Sequence, residues 1–210
     1  MVSKLSSNGV AGFILANGAL SADGTEGEIR RKMIERGLVE AIVILPRNLF
    51  YSTDISVTLW ILNANKKARV VYRNEEEIHY RDREKEILFI DMRQMGKPFE
   101  KKYVRFTDEN IRKVADTYHN WQREGHTETY TDMPEFCKSV SMDEEGGIAD
   151  KGFSLVPSKY IEFVNRDESV DYDTRMKELQ SELADILRQE AESREVVLNV
   201  FKSLGYEIKL

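Results

Sequence analysis

The sequence lacks several features on which whole classes of protein depend. It has one cysteine, Cys137, among its 210 residues, so no internal disulfide can form and a zinc site would lack ligands. No run approaches the roughly 20 apolar residues that span a bilayer, and the segment from Met1 to Lys4 does not begin a signal peptide. We therefore expect a cytoplasmic protein in which Cys137 is a structural thiol.

Patterns that hold ligands or carry out catalysis are also missing. No Gly-x-Gly occurs, although this pattern lets a strand-to-helix turn come close to a bound ligand. His119 and Trp121 fall on a predicted helix without a catalytic or metal-binding partner, so we expect them to pack or face solvent. Neither acidic run, at 75–77 or 143–145, has the spacing of a metal-binding loop. The four prolines are isolated from one another: Pro46, Pro98, Pro134 and Pro157.

Charge gives no global attraction to nucleic acid, because the net charge is -6. Any contact with DNA must therefore be local or shared with a partner. Three basic clusters exist, although solvated faces explain such clusters more often than phosphate contacts do. They are Arg30-Arg31-Lys32, Lys66-Lys67 with Arg69, and Lys101-Lys102.

The first 45 residues predict a strand, a helix and a second strand. Val10–Leu15 and Leu38–Leu45 are short apolar runs between turn residues, which is typical of buried strands. Between them, Thr25 and nearby acids favour a helix start, Ile29 lies on its apolar face, and Gly37 ends it. Such a βαβ unit belongs to a parallel sheet with helices on its faces.

The middle of the chain predicts more strands and one helix. Ile55–Leu62 is expected to form a hairpin or an edge pair with Val70–Tyr72, and Ile87–Asp91 is expected to form a further strand. Thr107 predicts the N-cap of a helix that runs from about Asp108 to Arg123.

The clearest element is a long amphipathic helix from about Asp173 to Leu204, where glycine and proline are absent. Its apolar seam lapses near Glu190 and Ser193, so the helix is expected to bend there or to break into an antiparallel pair. The seam packs either on its own domain or on the helices of a partner subunit. It consists of Met176, Leu179, Leu183, Ile186, Val197, Val200 and Leu204.

Several segments, in this order, resemble one family. They are Asn8–Leu20, Glu26–Lys32, Leu45–Thr53, Ile55–Leu62, Leu88–Asp91, Tyr118–Trp121 and Phe136–Lys138. Together they resemble the C-terminal part of the modification subunit of type I restriction-modification systems, which are DNA adenine-N6 methyltransferases. The resemblance implies a fold and a division of the chain. We expect an α/β fold, with the C-terminal portion of a Rossmann-like methyltransferase sheet with antiparallel edge strands over residues 1–93. A mixed helical and loop region at 94–170 and a long assembly helix at 171–210 follow.

The resemblance also implies S-adenosylmethionine as the methyl donor of the full-length protein. Its glycine turn and its Asn-Pro-Pro tetrapeptide are absent here, so we expect this chain alone to be inactive, without catalytic, cofactor-binding or metal-binding residues. By position, Phe50 would stack on the flipped-out target base and Tyr51 would be a weaker neighbour. Packing in the core is the alternative role for both side chains.

The partners implied by the resemblance are DNA, a specificity subunit and a restriction subunit. Helical spacers of the specificity subunit would pack with the seam of the terminal helix. An exposed remnant sheet would also favour a homo-oligomer. The alternative function is a non-catalytic interaction protein that docks to the specificity subunit, whereas an unrelated small α/β enzyme has no supporting residue pattern.

Overall fold

A computed structural model describes residues 2–164 and 172–206, and the chain divides into two units, residues 1–164 and 165–210. The helices are α1 Gly24–Glu35, α2 Asp108–Gln122, α3 His126–Thr129 and α4 Tyr172–Ser203. The strands are β1 Val10–Ala16, β2 Val39–Ile44, β3 Val57–Asn63, β4 Arg69–Arg73, β5 Glu76–Tyr80, β6 Glu86–Asp91, β7 Lys97–Phe99, β8 Tyr103–Arg105 and β9 Cys137–Ser141.

Five strands form a mixed sheet in the order β1-β3-β2-β6-β9. β2 and β6 are parallel neighbours, while β3 runs antiparallel to both β1 and β2, and β9 runs antiparallel to β6. β1, β2 and β6 therefore point the same way. The predicted strand-helix-strand unit is present as β1-α1-β2, but β3 lies between its two strands. The α/β sheet and the long terminal helix that the sequence predicts are confirmed.

Two predictions about strand pairing and burial are wrong. β3 does not pair with Val70–Tyr72; it lies inside the sheet, where Trp60 stands opposite both Phe13 and Ile42. β4 pairs instead with β5, in a separate hairpin. β1 is not a buried strand, because it bonds on one side only among the described residues, and Ile14 is 47% exposed. An apolar run does not tell a central strand from an edge strand.

Alternate side chains of the central strands enter two cores, one on each face of the sheet. Ile42 of β2 points into the core that α1 covers with Ile34, and Val43 points into the core that α2 covers with Trp121. The period of two along a strand produces this division. A sheet covered on both faces requires apolar residues in both registers, and β2 is buried along its whole length.

The N-cap of α2 is the residue that the sequence predicts, whereas the buried face of α1 differs from the predicted one. The Thr107 hydroxyl accepts a hydrogen bond from the Asn110 N–H at 3.3 Å, and the Asn110 side-chain oxygen accepts one from the Thr107 N–H at 3.1 Å. This capping box confirms the N-cap of α2. Ile29 of α1 is 55% exposed, and Arg30 is buried instead. Arg30 occupies that position because its guanidinium donates to three backbone carbonyls, including that of Phe153 at 2.9 Å.

A buried polar cluster ties β2 to α2. The Glu40 carboxylate is fully buried and accepts hydrogen bonds from Arg83 at 3.1 and 3.2 Å, which form a buried ion pair. Asn63, Tyr118 and Gln122 also donate to it, at 2.8, 2.7 and 3.1 Å. The Glu40 carboxylate is therefore satisfied by four donor residues from three segments of the chain, as a buried carboxylate requires.

Lys66 lies beside this cluster. Its ammonium donates to the Val39 carbonyl at 2.8 Å and the Glu86 carbonyl at 2.6 Å. Burial lowers the pKa of Lys66 to about 8, because the charged form loses hydration. Burial, followed by the charge of Glu40, raises the pKa of the Tyr118 hydroxyl.

The second unit contains α4, which is one continuous helix of 32 residues. The break into an antiparallel pair near Glu190 and Ser193, one of the two predicted alternatives, is therefore wrong. Within the described ranges, no helix is long and apolar enough to cross a membrane. The domain limits at residues 93 and 170 remain predictions.

Candidate functional site

Three parallel strands end at the same edge of the sheet. β1, β2 and β6 have their carboxyl ends there, at Ala16, Ile44 and Asp91. β3 begins at the same edge, since Val57 pairs with Ala16 and Thr58 pairs with Ile44. In open α/β sheets, ligands bind outside the carboxyl ends of the strands. A ligand site is therefore expected among the segments that leave this edge.

The segment that joins β2 to β3, residues 46–56, is here called the site loop. Its stem is closed by hydrogen bonds, because the Leu45 N–H donates to the Val57 carbonyl at 2.9 Å. The Ser56 hydroxyl also donates to the Leu45 carbonyl at 2.6 Å. The loop is thus held by the two strands that it connects, and it projects from the sheet edge with a fixed base.

Phe50 and Tyr51 are neighbours in the site loop but differ in burial. Phe50 is half-buried and packs against the core on the α2 side, and its carbonyl accepts the Thr53 N–H at 3.4 Å. Tyr51 is 70% exposed, and its ring meets that of Tyr103 edge to face with 4.7 Å between centroids. Both side chains lie at the sheet edge where ligands are expected. Their contact with a target base remains a prediction.

A hairpin of β7 and β8 lies against the site loop. The Val104 N–H in β8 donates to the Asn48 carbonyl of the loop at 3.0 Å. Sequence reasoning missed this hairpin, because strands of three residues are too short to show alternation. Its sequence contains one acid, Glu100, and four basic residues: Lys97, Lys101, Lys102 and Arg105.

Two further pairs of polar side chains at this edge are engaged with each other. The Thr58 hydroxyl donates to the Asn17 side chain at 2.6 Å, where Asn17 begins the predicted turn after β1. Arg93 binds the Asp91 carboxylate through both Nε and Nη2, with a shortest distance of 2.6 Å. These hydrogen bonds raise the pKa of Arg93. Asp91 is therefore a structural partner of Arg93 and a poor candidate for a general base.

The edge does not fit a nucleoside-containing cofactor such as S-adenosylmethionine. The turn after β1 has one glycine, Gly18, and no Gly-x-Gly, so it does not provide the glycine-rich turn that lets the backbone approach a nucleotide. Among residues 2–164 and 172–206, no group of three His, Cys, Asp or Glu side chains is arranged to hold a metal ion. The edge presents aromatic and basic groups without a cofactor cradle.

A second candidate surface lies on α4 and the residue that follows it. All seven residues of the predicted seam are exposed, by between 38% and 65%. The flanks of the helix carry exposed ion pairs, such as Arg175 with Glu178 at 2.9 Å and Arg194 with Glu190 at 2.7 Å. Within this unit, the described residues leave the apolar seam uncovered.

A comparison with family models decides the relationship of the chain. The model of the N-6 DNA methylases matches residues 1–169. The chain belongs to the N-6 DNA methylase family. Among curated relatives, the type I restriction enzyme HindI methylase subunit of Haemophilus influenzae is 35% identical over 209 residues. The MjaIX methylase subunit of Methanocaldococcus jannaschii is 33% identical over 199 residues.

These N-6 DNA methylase relatives are much longer than the chain. The match to the HindI subunit covers 99% of this chain and 42% of that protein, and the match to the MjaIX subunit covers 95% and 33%. The chain therefore spans less than half of the length of these two relatives.

A solved type I methyltransferase subunit from Streptococcus thermophilus has a TM-score of 0.56 and 24% identity, over 74% of this chain and 27% of that one. That likeness concerns the fold.

Both candidate surfaces lie within the similarity to methylase subunits. The family model covers the sheet, the site loop and the β7–β8 hairpin, and it ends before α4. The similarity to the HindI subunit spans 209 residues and so includes α4. The exposed helix therefore has a counterpart in a full-length methylase subunit.

Proposed function

We propose that the chain forms part of the modification subunit of a type I restriction-modification system, which methylates adenine at N6 in DNA. In this function the chain supplies one wall of the target-base pocket and a surface for subunit assembly. The observation that carries the proposal is an aromatic loop at the carboxyl-end edge of an N-6 DNA methylase sheet. S-adenosylmethionine supplies the methyl group and is held by other parts of the full-length subunit.

The role proposed for Phe50 follows from the chemistry of a paired base. An enzyme that modifies a base inside a duplex must first extrude it, which costs stacking and pairing energy. An aromatic face recovers on the order of 1–3 kcal/mol per stacked base. Phe50 is half-buried, so its packing in the core fixes the ring while part of it stays accessible. Tyr51 is more exposed and is held by Tyr103, which suits a secondary contact.

The chain alone is proposed to be inactive. The residues at the sheet edge include no cofactor cradle, and Asp91, the buried carboxylate at the end of β6, is committed to Arg93. A fragment of this kind retains binding surfaces without a complete reaction centre. It can then act as a component of the enzyme or, as a second reading, as a non-catalytic chain that occupies a specificity subunit.

The assembly role is proposed for α4. A helix of 32 residues with one exposed apolar seam is poorly stabilised in water unless the seam is buried against other helices. The proposed occupant is the helical part of a specificity subunit, with a restriction subunit added in the complete nuclease. Self-association of two copies of α4 is the competing outcome.

The first experiment combines calorimetric titration of the purified chain with S-adenosylmethionine and capture of the chain by the matching specificity subunit. The expected result is capture without binding of the methyl donor. Donor binding at micromolar affinity would contradict the proposed division of labour. If the specificity subunit does not capture the chain and the isolated chain forms dimers, the seam of α4 is a self-association surface instead.

A matched pair of variants tests whether the seam carries the capture. Leu183→Asp places a charge in the seam, whereas Ser181→Asp places the same side chain about half a turn away on the polar face. Burying a leucine contributes about 1.5–3 kcal/mol, so Leu183→Asp should weaken capture by about 10-fold or more. Ser181→Asp should leave capture unchanged, and equal effects of the two variants would contradict the assignment of the seam.

A further inference from the structure

The β7–β8 hairpin combines four features that the proposed function leaves unexplained. It is short, basic and exposed, and it is attached to the site loop rather than to the main sheet. Its strands pair Lys97 with Arg105 and Phe99 with Tyr103, and its turn contains Lys101 and Lys102. The hairpin carries four basic residues and one acid, whereas the whole chain has a net charge of -6.

The basic side chains of the hairpin are not neutralised by nearby acids. Lys97, Lys101, Lys102 and Arg105 are exposed, and none forms an ion pair within the described ranges 2–164 and 172–206. Exposed basic clusters of solvated faces are usually interspersed with acids. In contrast, Lys67, Lys85 and Lys138 elsewhere in the first unit each pair with a carboxylate.

Aromatic contacts hold two of these cations above the hairpin surface. The Lys102 ammonium lies 5.2 Å from the centre of the Tyr103 ring, and the Arg105 guanidinium lies 5.0 Å from that of Phe99. A cation over an aromatic face remains available to an anion on its outer side. The hairpin thus presents ordered positive charge next to Tyr51, which contacts the same Tyr103 ring.

The position of the hairpin is fixed by backbone contacts. The Val104 N–H bonds the Asn48 carbonyl of the site loop at 3.0 Å. At the entry to β7, Gly96 has a φ of +103°, and a Cβ there would meet Val104 Cγ1 at 2.5 Å. Glycine is therefore required for the hairpin to fold back on the loop. A contact that moves the hairpin would also move the segment that carries Phe50.

We propose that the β7–β8 hairpin binds the DNA phosphate backbone beside the flipped-out base. This proposal rests on the proposed function and extends it to the strand that flanks the target. Lysine is a point charge suited to phosphates, which carry no sequence information. A strand of three residues is about 10 Å long. B-DNA carries one phosphate per about 3.4 Å of helix axis on each strand, and successive phosphates lie farther apart along the strand itself, so the hairpin and its adjacent Lys101 and Lys102 match about two phosphates.

The test uses the whole 210-residue chain and a short fluorescein-labelled DNA duplex, with binding followed by fluorescence anisotropy. Lys101→Glu with Lys102→Glu is compared with Lys4→Glu with Lys32→Glu, which changes the same charge. The control lysines are exposed and belong to segments that pack on the α1 side of the sheet. Lys101→Arg with Lys102→Arg keeps the charge. Urea midpoints verify that each variant is folded.

The expected result is weak, salt-dependent binding of DNA by the wild-type chain, lost by at least about 10-fold in the Lys101→Glu with Lys102→Glu variant. The slope of log K against log salt should fall in magnitude by about 2, since each phosphate contact contributes about 0.9. The control and the arginine variant should retain both affinity and slope.

Absence of wild-type binding, or an equal loss in the control, would overturn the proposal. Equal displacement by polyglutamate at matched charge would assign the hairpin to acidic protein surfaces and would also overturn it. Failure of the proposed function gives a different pattern. In that case the chain is not captured by the specificity subunit, while the hairpin variants still separate in their affinity for DNA.

Discussion

The ion pair between Arg83 and Glu40 predicts a large loss of stability on substitution of Arg83 by methionine. Both side chains are 0% exposed, and the remaining donors to the Glu40 carboxylate, from Asn63, Tyr118 and Gln122, are neutral. Removing one partner of a buried pair costs about 3–5 kcal/mol, because the other charge stays buried without its ion-pair partner. Domains of this size are stable by about 5–15 kcal/mol, so the loss is a large fraction.

The loss is measured by urea unfolding followed through tryptophan fluorescence. Trp121 is fully buried and lies within 5.8 Å of the Arg83 guanidinium, so its emission reports on this cluster. With a urea dependence of about 1–3 kcal/mol/M, a loss of about 3–5 kcal/mol should lower the unfolding midpoint of Arg83→Met by about 1–5 M. Arg31→Met is the matched control, because it breaks the exposed pair with Glu35 and should cost less than about 1 kcal/mol.

A double variant separates the buried charge from the lost packing. Glu40→Gln added to Arg83→Met keeps an acceptor for Asn63 and Tyr118 but removes the buried negative charge that has lost its ion-pair partner. The double variant should therefore be more stable than Arg83→Met alone. The reasoning is refuted if Arg83→Met costs less than about 1 kcal/mol, or if the two substitutions destabilise additively.

Two further predictions concern pH and the target base. Burial lowers the pKa of Lys66 to about 8, so above pH 8 the unfolded chain holds more protons at this lysine than the folded chain. The free energy of unfolding of the wild-type chain should therefore rise with pH from about 8 to about 10, and this rise should be absent in Lys66→Met. If the urea midpoints of the two proteins change with pH in the same way, the prediction is wrong. In the fully assembled enzyme, Phe50→Leu keeps an apolar side chain but removes the stacking face, so kcat/KM for adenine methylation should fall by about 5-fold to 150-fold while Phe50→Tyr retains it. 2-Aminopurine placed at the target position of the DNA reports on the flipped-out base. If its fluorescence is the same with Phe50→Leu as with the wild-type enzyme, Phe50 has a packing role.

One part of the candidate site could be predicted from the sequence and another part could not. The role of Phe50 was predicted from the resemblance of Leu45–Thr53 to the family, and the structure places that loop at the carboxyl-end edge of the sheet. The hairpin beside it was visible only as the pair Lys101-Lys102. Its role depends on the contact between Val104 and Asn48, and such a contact between distant residues leaves no periodic signal.

Local chemistry was sufficient wherever an element is defined by its own residues. Sequence alone determined the strand-helix-strand start, the cap at Thr107 and the long helix α4, because capping, glycine stops and apolar periodicity act over a few neighbouring residues. The family followed separately, from the resemblance of several segments in a fixed order.

Tertiary structure alone decided which strands are neighbours and which apolar residues are buried. β3 enters between β1 and β2, β1 becomes an exposed edge, and Arg30 replaces Ile29 on the buried face of α1. Each outcome depends on partners that lie far away in the chain, such as the Phe153 carbonyl that Arg30 binds. Burial is a property of the assembled sheet and its two helical layers, and a short apolar run has the same composition at the centre and at the edge.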